Sequence, residues 1–403
     1  MSRIVVLGVG AWGTALSLSL HRRGGHQISL WAHSLELAAE IDAARENMQF
    51  LPGFPLPASI SVTGFDAAVA EAEIVLSVIP SEFLRATIAR LRPQLHSGQI
   101  ILSATKGVED HSFLRMTEVI AATLAEPSTL GAGLMTIGSG PSPLDPGPSI
   151  PPLDLPGIDL PLPDLEEFRR PAPPHAGPWT PGPGPSSLVP SPLVPSPSIP
   201  IGALSGPSFA LEVAQGQPTT VTVAFTDPAV AAQIQRDFSS ETLRLYTSTD
   251  VIGVELGGAL KNVIAIAAGV AAGVGLGYNS AAGLMTRGIA EITRLAVACG
   301  ARRETLAGLS GIGDLVLTCT GTLSRNRTVG FELGRGRKLP EILESLGGKV
   351  AEGVLTTRAA LGLARKHDIE MPIAEQMELI LDGGKDPREA IKDLMLRPGK
   401  GEH

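Results

Sequence analysis

The chain has 403 residues, of which 43% are hydrophobic, so it can form two or three domains with sizeable cores. Its formal net charge of −8 argues against a nucleic-acid-binding protein, which would show a basic face. Because the chain has only two cysteines, Cys299 and Cys319, a disulfide framework is excluded, and a reducing, cytoplasmic location is expected.

The first 126 residues alternate short apolar runs with helical patterns, which predicts a Rossmann-type parallel sheet with helices packed against it. Strands are predicted at 3–7, 27–31, 74–78 and 100–104, and helices at 14–23, 35–47 and 112–124. Ligands of such folds bind at the carboxyl ends of the strands. The residues that follow the predicted strands are therefore the first candidates for a site.

The first predicted strand runs into the sequence GVGAWG at residues 8–13 and then into a helix. This is the G-x-G-x-x-G pattern in the setting that dinucleotide sites use. Gly8 permits the tight turn, Gly10 lets the backbone approach a pyrophosphate, and Gly13 lets helix and strand pack closely. The motif predicts a nicotinamide dinucleotide site, the alternative being a glycine-rich turn in an unrelated α/β protein.

The end of the second strand bears on the choice between the two nicotinamide cofactors. An NAD-specific site normally carries Asp or Glu there, but residues 31–34 read WAHS and the first carboxylate is Glu36. His33 could contact the adenosine ribose or its 2′-phosphate, or could simply be an exposed histidine. NADPH or NADH is expected as cofactor, with NADPH favoured.

Residues 127–200 hold 22 of the 34 prolines and cannot form an ordinary core, because proline removes backbone donors from helices and sheets. The sequence LVPSP occurs twice in succession, at 188–192 and 193–197. We predict a disordered proline-rich insertion over 127–198 in a helix-to-strand loop. A docking arm for proline-recognising partners and translated non-coding sequence are the alternatives.

After the insertion, residues 199–250 are expected to complete the dinucleotide-binding domain, with strands near 199–205 and at 219–225. Residues 251–403 predict a mostly helical substrate-binding and catalytic domain, most clearly at 251–299 and 340–396. The apolar run 263–284 is a membrane-span candidate by composition. Its many small residues favour packing in a buried core, so no membrane span is expected.

Two polar motifs follow predicted strands. Lys106, in the sequence ATKG, would face the ligand crevice and bind a substrate phosphate or carboxylate, unless it is a surface lysine. The sequence GPSFA at 206–210 predicts a turn whose backbone donors line the cofactor cleft, or a bare turn.

The helical region carries the other candidates. Lys261 lies in an almost wholly apolar predicted helix, which is costly unless the ammonium is paired, functional or extended to the surface. Burial would lower the pKa of Lys261 and suit it to proton transfer. Asp314, set among glycines and apolar residues, could pair with Lys261 or orient a substrate hydroxyl. The sequence SRN at 324–326 could cradle a phosphate or be a capped loop.

Two residues have mainly structural interpretations. Glu352, followed by a glycine, could contact the cofactor, although capping of a helix is favoured from its spacing. Cys319 is expected to be a packed thiol rather than a nucleophile, because no partner histidine is suggested nearby. No cluster of metal ligands is recognised, and no metal is expected.

In chain order the motifs resemble the bacterial-type NAD(P)-dependent glycerol-3-phosphate dehydrogenase family. The resemblance covers about residues 3–126 and 200–398 and is carried by GVGAWGTA, WAH, LPGFPLP, IPSEF, ATKG, SGPSFA, LGGALKNVIAIAAG, LMTRGIAEI, GIGDLVLTCT, SRNRTVG, AEGV and EMPI. It implies reversible reduction of dihydroxyacetone phosphate to sn-glycerol 3-phosphate, which supplies phospholipid synthesis. A homodimer is a possible assembly.

The resemblance also implies individual roles. Lys261 would be the proton donor and acceptor, with Asp314 as its catalytic partner. The implied substrate contacts are Lys106, Gly206, Ser208, Lys261, Asp314, Ser324, Arg325 and Asn326. The implied cofactor contacts, beside Gly8, Gly10 and Gly13, are Ala11, Trp12, His33, Lys106, Ala210, Arg325, Val350 and Glu352.

Two other functions remain open from the sequence. One is a hydroxy-acid dehydrogenase of the same two-domain plan, against which the phosphate cradle at 324–326 counts. The other is a non-catalytic NADPH-binding regulator with the proline-rich segment as a docking arm, against which the lysine and aspartate pair counts.

Overall fold

The computed structural model describes residues 1–126, 199–346, 352–399 and 401. The prediction for the insertion at 127–198 and the cofactor contact predicted at Val350 lie outside these residues. Within them, a single mixed sheet is followed by a bundle of helices, which confirms the predicted fold class.

The sheet has eight strands among the described residues, in the spatial order β3-β2-β1-β4-β5-β6-β7-β8. The strands are β1 (Ser2–Leu7), β2 (His26–Trp31), β3 (Ile60–Thr63), β4 (Ile74–Ser77), β5 (Ile100–Ser103), β6 (Ile201–Ser205), β7 (Thr219–Ala224) and β8 (Leu243–Ser248). The first six run parallel, and the strand order reverses between β1 and β4, where a doubly wound fold opens its ligand crevice.

Within the described residues, seven α-helices accompany the sheet: α1 (Ala11–Arg23), α2 (Leu35–Ala44), α3 (Ala67–Ala70), α4 (Ser81–Leu91), α5 (Met116–Ala125), α6 (Ala210–Gln215) and α7 (Pro228–Phe238). They cover both faces because strands such as β4, whose four residues are all buried, need apolar cover on each side.

The helical part comprises α8 (Val251–Gly273), α9 (Tyr278–Ala298), α10 (Arg303–Leu306), α11 (Asp314–Thr320), α12 (Arg325–Gly334), α13 (Leu339–Ser345), α14 (Glu352–Lys366), α15 (Pro372–Leu381) and α16 (Pro387–Met395). A π-helical turn, Leu309–Gly313, leads into α11. Helix α8 forms the centre of the largest apolar cluster. Of the unbroken helices described, only α8 is long and apolar enough to cross a membrane, and 94% of its most apolar window is buried in the protein, as in a core helix.

Several sequence predictions need correction. The sheet is not wholly parallel, since β7 pairs with β6 in the antiparallel sense, and β3 and β8 were not predicted. The helix predicted at 112–124 begins only at Met116, because a bridge between Val108 and Arg115 closes a hairpin over its first residues. The helix predicted at 35–47 ends at Ala44, since Arg45 takes the left-handed conformation.

Candidate active site

The glycine-rich loop joins β1 to α1 at the reversal of strand order. Gly8 has a φ of 114° and lies so close to the next strand that a β-carbon there would be 2.8 Å from the Val78 carbonyl oxygen. A β-carbon on Gly13 would lie 2.0 Å from the Gly8 carbonyl oxygen. Both positions therefore require glycine for reasons internal to the protein.

Gly10 differs from these two glycines, because a β-carbon there would meet no protein atom within 4 Å. It is also the N-cap of α1 and offers no side-chain cap, so the first-turn N–H groups of the helix are free to bind an anion. Ala11 and Trp12 form that first turn and are half-buried. The open space and the uncapped helix fit the pyrophosphate of a dinucleotide.

An arginine paired with an aspartate lies beside the end of β2. His33 is exposed, and its carbonyl oxygen accepts a hydrogen bond of 2.9 Å from Arg90. The Arg90 guanidinium lies 5.3 Å from the centroid of the Trp31 ring and donates two 2.8 Å hydrogen bonds to Asp66. Residues 31–34 themselves carry no carboxylate, and the Asp66 carboxylate beside this edge, which also accepts from Trp31 Nε1 over 3.3 Å, is paired with Arg90.

The buried polar centre of the molecule is one carboxylate shared by two lysines. Lys106 Nζ donates to Asp314 Oδ2 over 2.8 Å, and Lys261 Nζ donates to Asp314 Oδ1. Lys261 Nζ also donates to Thr318 Oγ1 over 2.8 Å. The Asp314 side chain is 1% exposed, that of Lys261 7% and that of Lys106 19%, so Lys106 is the member nearest to solvent.

Three parts of the fold bring this cluster together. Lys106 follows β5, at the carboxyl edge of the sheet. Lys261 comes from the middle of α8, which approaches β6 closely because Gly258 has no side chain: a β-carbon there would lie 2.2 Å from Ser205 Oγ. Asp314 begins α11 directly after the π-helical turn, and Thr318 lies one turn further along the same face.

Burial and neighbouring charge set the protonation of the two lysines in opposite directions. Burial lowers the pKa of Lys261 to about 7; the Asp314 carboxylate opposes this shift and the Lys106 charge adds to it. Burial also lowers the pKa of Lys106, but the Asp314 charge and hydrogen bond outweigh it, so that the net pKa of Lys106 is raised. Near neutral pH, therefore, Lys261 can exchange its proton while Lys106 stays protonated.

The turn at 206–210 follows β6 at the same edge as Lys106. Gly206 has a φ of 144°, and a β-carbon there would lie 2.9 Å from the Val221 α-carbon. Ser208 Oγ donates to the Gly206 carbonyl oxygen over 3.0 Å, and Ala210 begins α6. The structure thus brings the predicted turn residues to the carboxyl edge that holds Lys106.

Some polar groups of the predicted phosphate cradle, residues 324–326, already make hydrogen bonds within the protein. Ser324 caps α12 by accepting from the Arg327 N–H over 3.3 Å, and Asn326 Oδ1 accepts from the Gly353 N–H over 3.0 Å. Arg325 is exposed at the start of α12. The guanidinium of Arg325, the amide nitrogen of Asn326 and the hydroxyl hydrogen of Ser324 are the donors left for a ligand.

Glu352, the first residue of α14, lies beside the helix that carries Lys261. Its Oε2 accepts a 3.4 Å hydrogen bond from Asn262 Nδ2, and the neighbouring N–H of Gly353 binds Asn326. The start of α14 thus joins α8 to α12 next to the lysine cluster.

Comparison with known proteins places the chain in a family. A family model described as the NAD-dependent glycerol-3-phosphate dehydrogenase N-terminus matches residues 3–142 and 189–231, and the corresponding C-terminus model matches residues 250–392. The chain belongs to the glycerol-3-phosphate dehydrogenase family. The N-terminal model leaves residues 143–188 unmatched, which lie within the insertion predicted at 127–198.

Individual members of the glycerol-3-phosphate dehydrogenase family match over the whole length. A glycerol-3-phosphate dehydrogenase (NAD(P)+) of Acidobacterium capsulatum is 49% identical, with 100% of both chains covered. One of Koribacter versatilis is 47% identical, covering 100% of this chain and 99% of the relative. The crystal structure of glycerol-3-phosphate dehydrogenase from Coxiella burnetii is 31% identical, with a TM-score of 0.77, 98% of this chain and 99% of that chain covered.

Sequence reasoning missed three residues that shape the site of this glycerol-3-phosphate dehydrogenase family member. Thr318 binds Lys261, and its spacing of four residues from Asp314 was the available signal. Arg90 lies beside the end of β2, and nothing in the sequence around residue 90 indicates that position. Asn47 is fully buried and donates to the Val9 carbonyl oxygen over 2.6 Å, which fixes the glycine-rich loop.

The cysteines do not take part in the lysine cluster. Cys319 is buried and free, and burial raises its pKa to about 12. Cys299 is also free, and burial raises its pKa to about 11. Such thiols are poor nucleophiles at neutral pH, so the interpretation of Cys319 as a packed thiol is supported.

Proposed function

We propose that this protein catalyses the reversible reduction of dihydroxyacetone phosphate to sn-glycerol 3-phosphate with NADPH or NADH, NADPH being favoured. The observation that carries the proposal is Lys261, buried in an apolar helix and bound to Asp314 and Thr318 beside Lys106. A ketone reductase needs such a group, because negative charge grows on the carbonyl oxygen as the carbon is reduced.

The chemistry divides between cofactor and protein. The nicotinamide cofactor, when bound, supplies the hydride. Lys261 as ammonium stabilises the charge on the substrate oxygen and donates the proton; in the reverse direction the neutral amine accepts it. Its pKa of about 7 suits both directions near neutral pH, since a proton-transfer group works best with a pKa near the operating pH.

The other groups of the cluster orient Lys261. Asp314 holds the ammonium from one side, and Thr318 holds it from the next turn of the same helix. Lys106 neutralises the second oxygen of Asp314 and, as the more exposed lysine, is the one that reaches an anionic substrate. Fixed geometry of this kind lowers the entropic cost of the reaction.

We further propose the distribution of ligand contacts along the chain. Residues 1–126 with about 199–250 bind the dinucleotide, and residues 251–403 bind the substrate and carry Lys261. The proposed cofactor contacts are Gly8, Gly10, Ala11, Trp12, Gly13, His33, Lys106, Ala210, Arg325, Val350 and Glu352. The proposed substrate contacts are Lys106, Gly206, Ser208, Lys261, Asp314, Ser324, Arg325 and Asn326.

The cellular setting follows from the same proposal. The product supplies glycerophospholipid synthesis, and the protein works in the cytoplasm, consistent with two free cysteines. A homodimer is proposed as its assembly.

The deciding experiment follows oxidation of NADPH and of NADH by the purified protein with dihydroxyacetone phosphate. Dihydroxyacetone, which lacks the phosphate, and a 2-keto acid are the matched controls. Turnover with the phosphorylated ketone, far above that with either control, is expected. Tight NADPH binding without that turnover would instead favour the non-catalytic regulator, and faster turnover of the keto acid would favour the hydroxy-acid dehydrogenase.

A further inference from the structure

Lys106 is separated by a single residue from a hairpin that leaves the sheet and packs into the helical part. The bridge between Val108 and Arg115 closes this hairpin, residues 108–115, and the Glu109 N–H donates to the Leu114 carbonyl oxygen over 2.9 Å. Gly107, between Lys106 and the hairpin, has a φ of 144°, and a β-carbon there would lie 2.8 Å from the Ser81 β-carbon. With so short and confined a connection, movement of the hairpin moves Lys106.

Two apolar residues of the hairpin, Val108 and Phe113, pack into the core of the helical part, whereas Leu114 packs against an apolar cluster of the sheet. Val108 is 4% exposed and is a member of the cluster around α8. The Phe113 ring lies against α14 at Gly362, where a β-carbon would be 2.2 Å from the ring. Phe113 has a φ of 57°, a conformation that costs energy for a bulky residue and persists only where the surroundings enforce it.

A buried carboxylate on α8 binds the far end of the hairpin and the start of α5. Glu255 Oε2 accepts from Arg115 Nη1 over 2.5 Å and from Thr117 Oγ1 over 2.6 Å, and its Oε1 accepts from the Thr117 N–H over 2.8 Å. The Glu255 side chain is 4% exposed. Removing a buried partner of an ion pair leaves the other charge uncompensated, so this contact resists opening.

Glu255 and Lys261 lie on the same helix, six positions apart, while Arg115 and Lys106 lie on the same segment from the sheet. We propose that Glu255 is a positioning residue: by holding Arg115 and Thr117 it fixes the hairpin on α8 and so keeps Lys106 at hydrogen-bond distance from Asp314. The proposal builds on the proposed function, since the geometry it protects is that of the proton-donating cluster.

The matched test compares Glu255→Gln with Glu118→Gln. Glu118 also binds Arg115, over 2.7 Å, but it lies on α5 itself and does not connect the hairpin to α8. Both substitutions replace one carboxylate partner of Arg115 by an amide of the same size. Only Glu255→Gln weakens the attachment to α8, because the amide nitrogen cannot accept from Arg115 or Thr117.

The expected result for Glu255→Gln is a kcat reduced about tenfold or more, since a displacement near 1 Å can cost about 100-fold in rate. The NADPH dissociation constant should stay within about twofold of the wild-type value, because the glycine-rich loop is untouched. The pH midpoint of kcat/KM for reduction should rise, since the Lys106 charge that lowers the pKa of Lys261 moves away. Glu118→Gln should leave kcat, the NADPH dissociation constant and the pH midpoint at their wild-type values.

Among the described residues few titratable groups act on Lys261, so the pH readout reports mainly on Lys106 and Asp314. Asp314 and Lys106 face Lys261 directly, the Cys319 thiol has a pKa of about 12, and Glu352 acts on Lys106. A merely structural role for Glu255 would lower the melting temperature without moving this midpoint. A reduced kcat with an unmoved midpoint, or equal values for the two variants, would overturn the proposal.

A second measurement does not depend on turnover. Hydrogen exchange of the backbone over residues 104–117 should accelerate in Glu255→Gln and not in Glu118→Gln; equal exchange overturns the proposal. If the wild-type protein fails to reduce dihydroxyacetone phosphate, the proposed function fails, while exchange still decides whether Glu255 holds Lys106. If Glu255→Gln does not fold, Thr117→Val removes one of the three hydrogen bonds and is judged by the same criteria.

Discussion

Replacing Asp314 by asparagine would test the electrostatics of the cluster, because it keeps the size of the side chain and removes the charge that two lysines share. Two unit charges about 4 Å apart near ε ≈ 20 interact by about 4 kcal/mol. That energy corresponds to about three pKa units. Loss of the carboxylate should therefore lower the pKa of Lys261 from about 7 to roughly 4.

The consequence for catalysis depends on direction and pH. At pH 7 only about one Lys261 in a thousand would carry the proton that reduction needs, so kcat/KM should fall by about three orders of magnitude. Below pH 7 the kcat/KM of the wild-type enzyme should level off. The kcat/KM of the variant should instead keep rising about tenfold per pH unit as the pH falls towards 5.

The assay is the pH dependence of kcat/KM for dihydroxyacetone phosphate reduction, which reports the free enzyme. Thr318→Val is the matched control, because it removes a hydroxyl that accepts from the Lys261 ammonium, a hydrogen bond worth about 1.5 to 3 kcal/mol, and leaves the charges of Asp314 and Lys106 in place. It should lower the midpoint by about one to two units, less than Asp314→Asn does. A uniform loss of rate in Asp314→Asn with the wild-type midpoint would refute the electrostatic reasoning.

Further outcomes follow from the loop, the lysine, the insertion and the thiol. In the wild-type enzyme, kcat/KM for reduction should fall as pH rises through about 7, where Lys261 loses its proton, and that for oxidation should rise over the same range; parallel profiles would contradict the assigned role. Gly13→Ala should lower the melting temperature and NADPH affinity together, whereas Gly10→Ala, whose β-carbon meets no protein atom, should lower affinity alone; a fluorescence titration and a thermal melt separate these results. A chain lacking residues 143–188, which the family model does not match, should fold and turn over, since loop length costs little free energy; an unfolded product by circular dichroism would show otherwise. Cys319→Ala should keep most of the turnover, and loss of activity under mild alkylation traced to Cys319 by mass spectrometry would count against a packed thiol.

The elements whose cause is local could be predicted from the sequence. The strand, glycine loop and helix at residues 2–23 follow from neighbouring residues, and Ser34, directly before α2, accepts the Leu37 N–H as the N-cap of that helix. The sequence leaves two roles open for Asp314, pairing with Lys261 or orienting a substrate hydroxyl. It cannot decide between them, because 53 positions separate the two residues and their pairing depends on how α8 packs.

The features that the sequence did not reveal depend on distant contacts. Residues 112–115 of the hairpin are predicted from the sequence as the start of a helix, whereas in the structure Phe113 takes a left-handed conformation and its ring packs against α14. The antiparallel direction of β7 likewise leaves no periodicity of its own, since a buried strand has the same pattern in either direction.

The sharing of one carboxylate by two lysines makes the net charge of the cluster depend on a single proton. With Lys261 protonated, Lys106, Asp314 and Lys261 together carry one positive charge; once Lys261 gives up its proton, they are neutral. Under the proposed reaction, the electrostatic attraction for a phosphate-bearing ligand therefore weakens at the moment when product forms. Proton uptake from solvent then returns Lys261 to its ammonium form and restores the positive charge of the site. Product release and the return of the enzyme to its starting state are therefore coupled through the ionisation of Lys261.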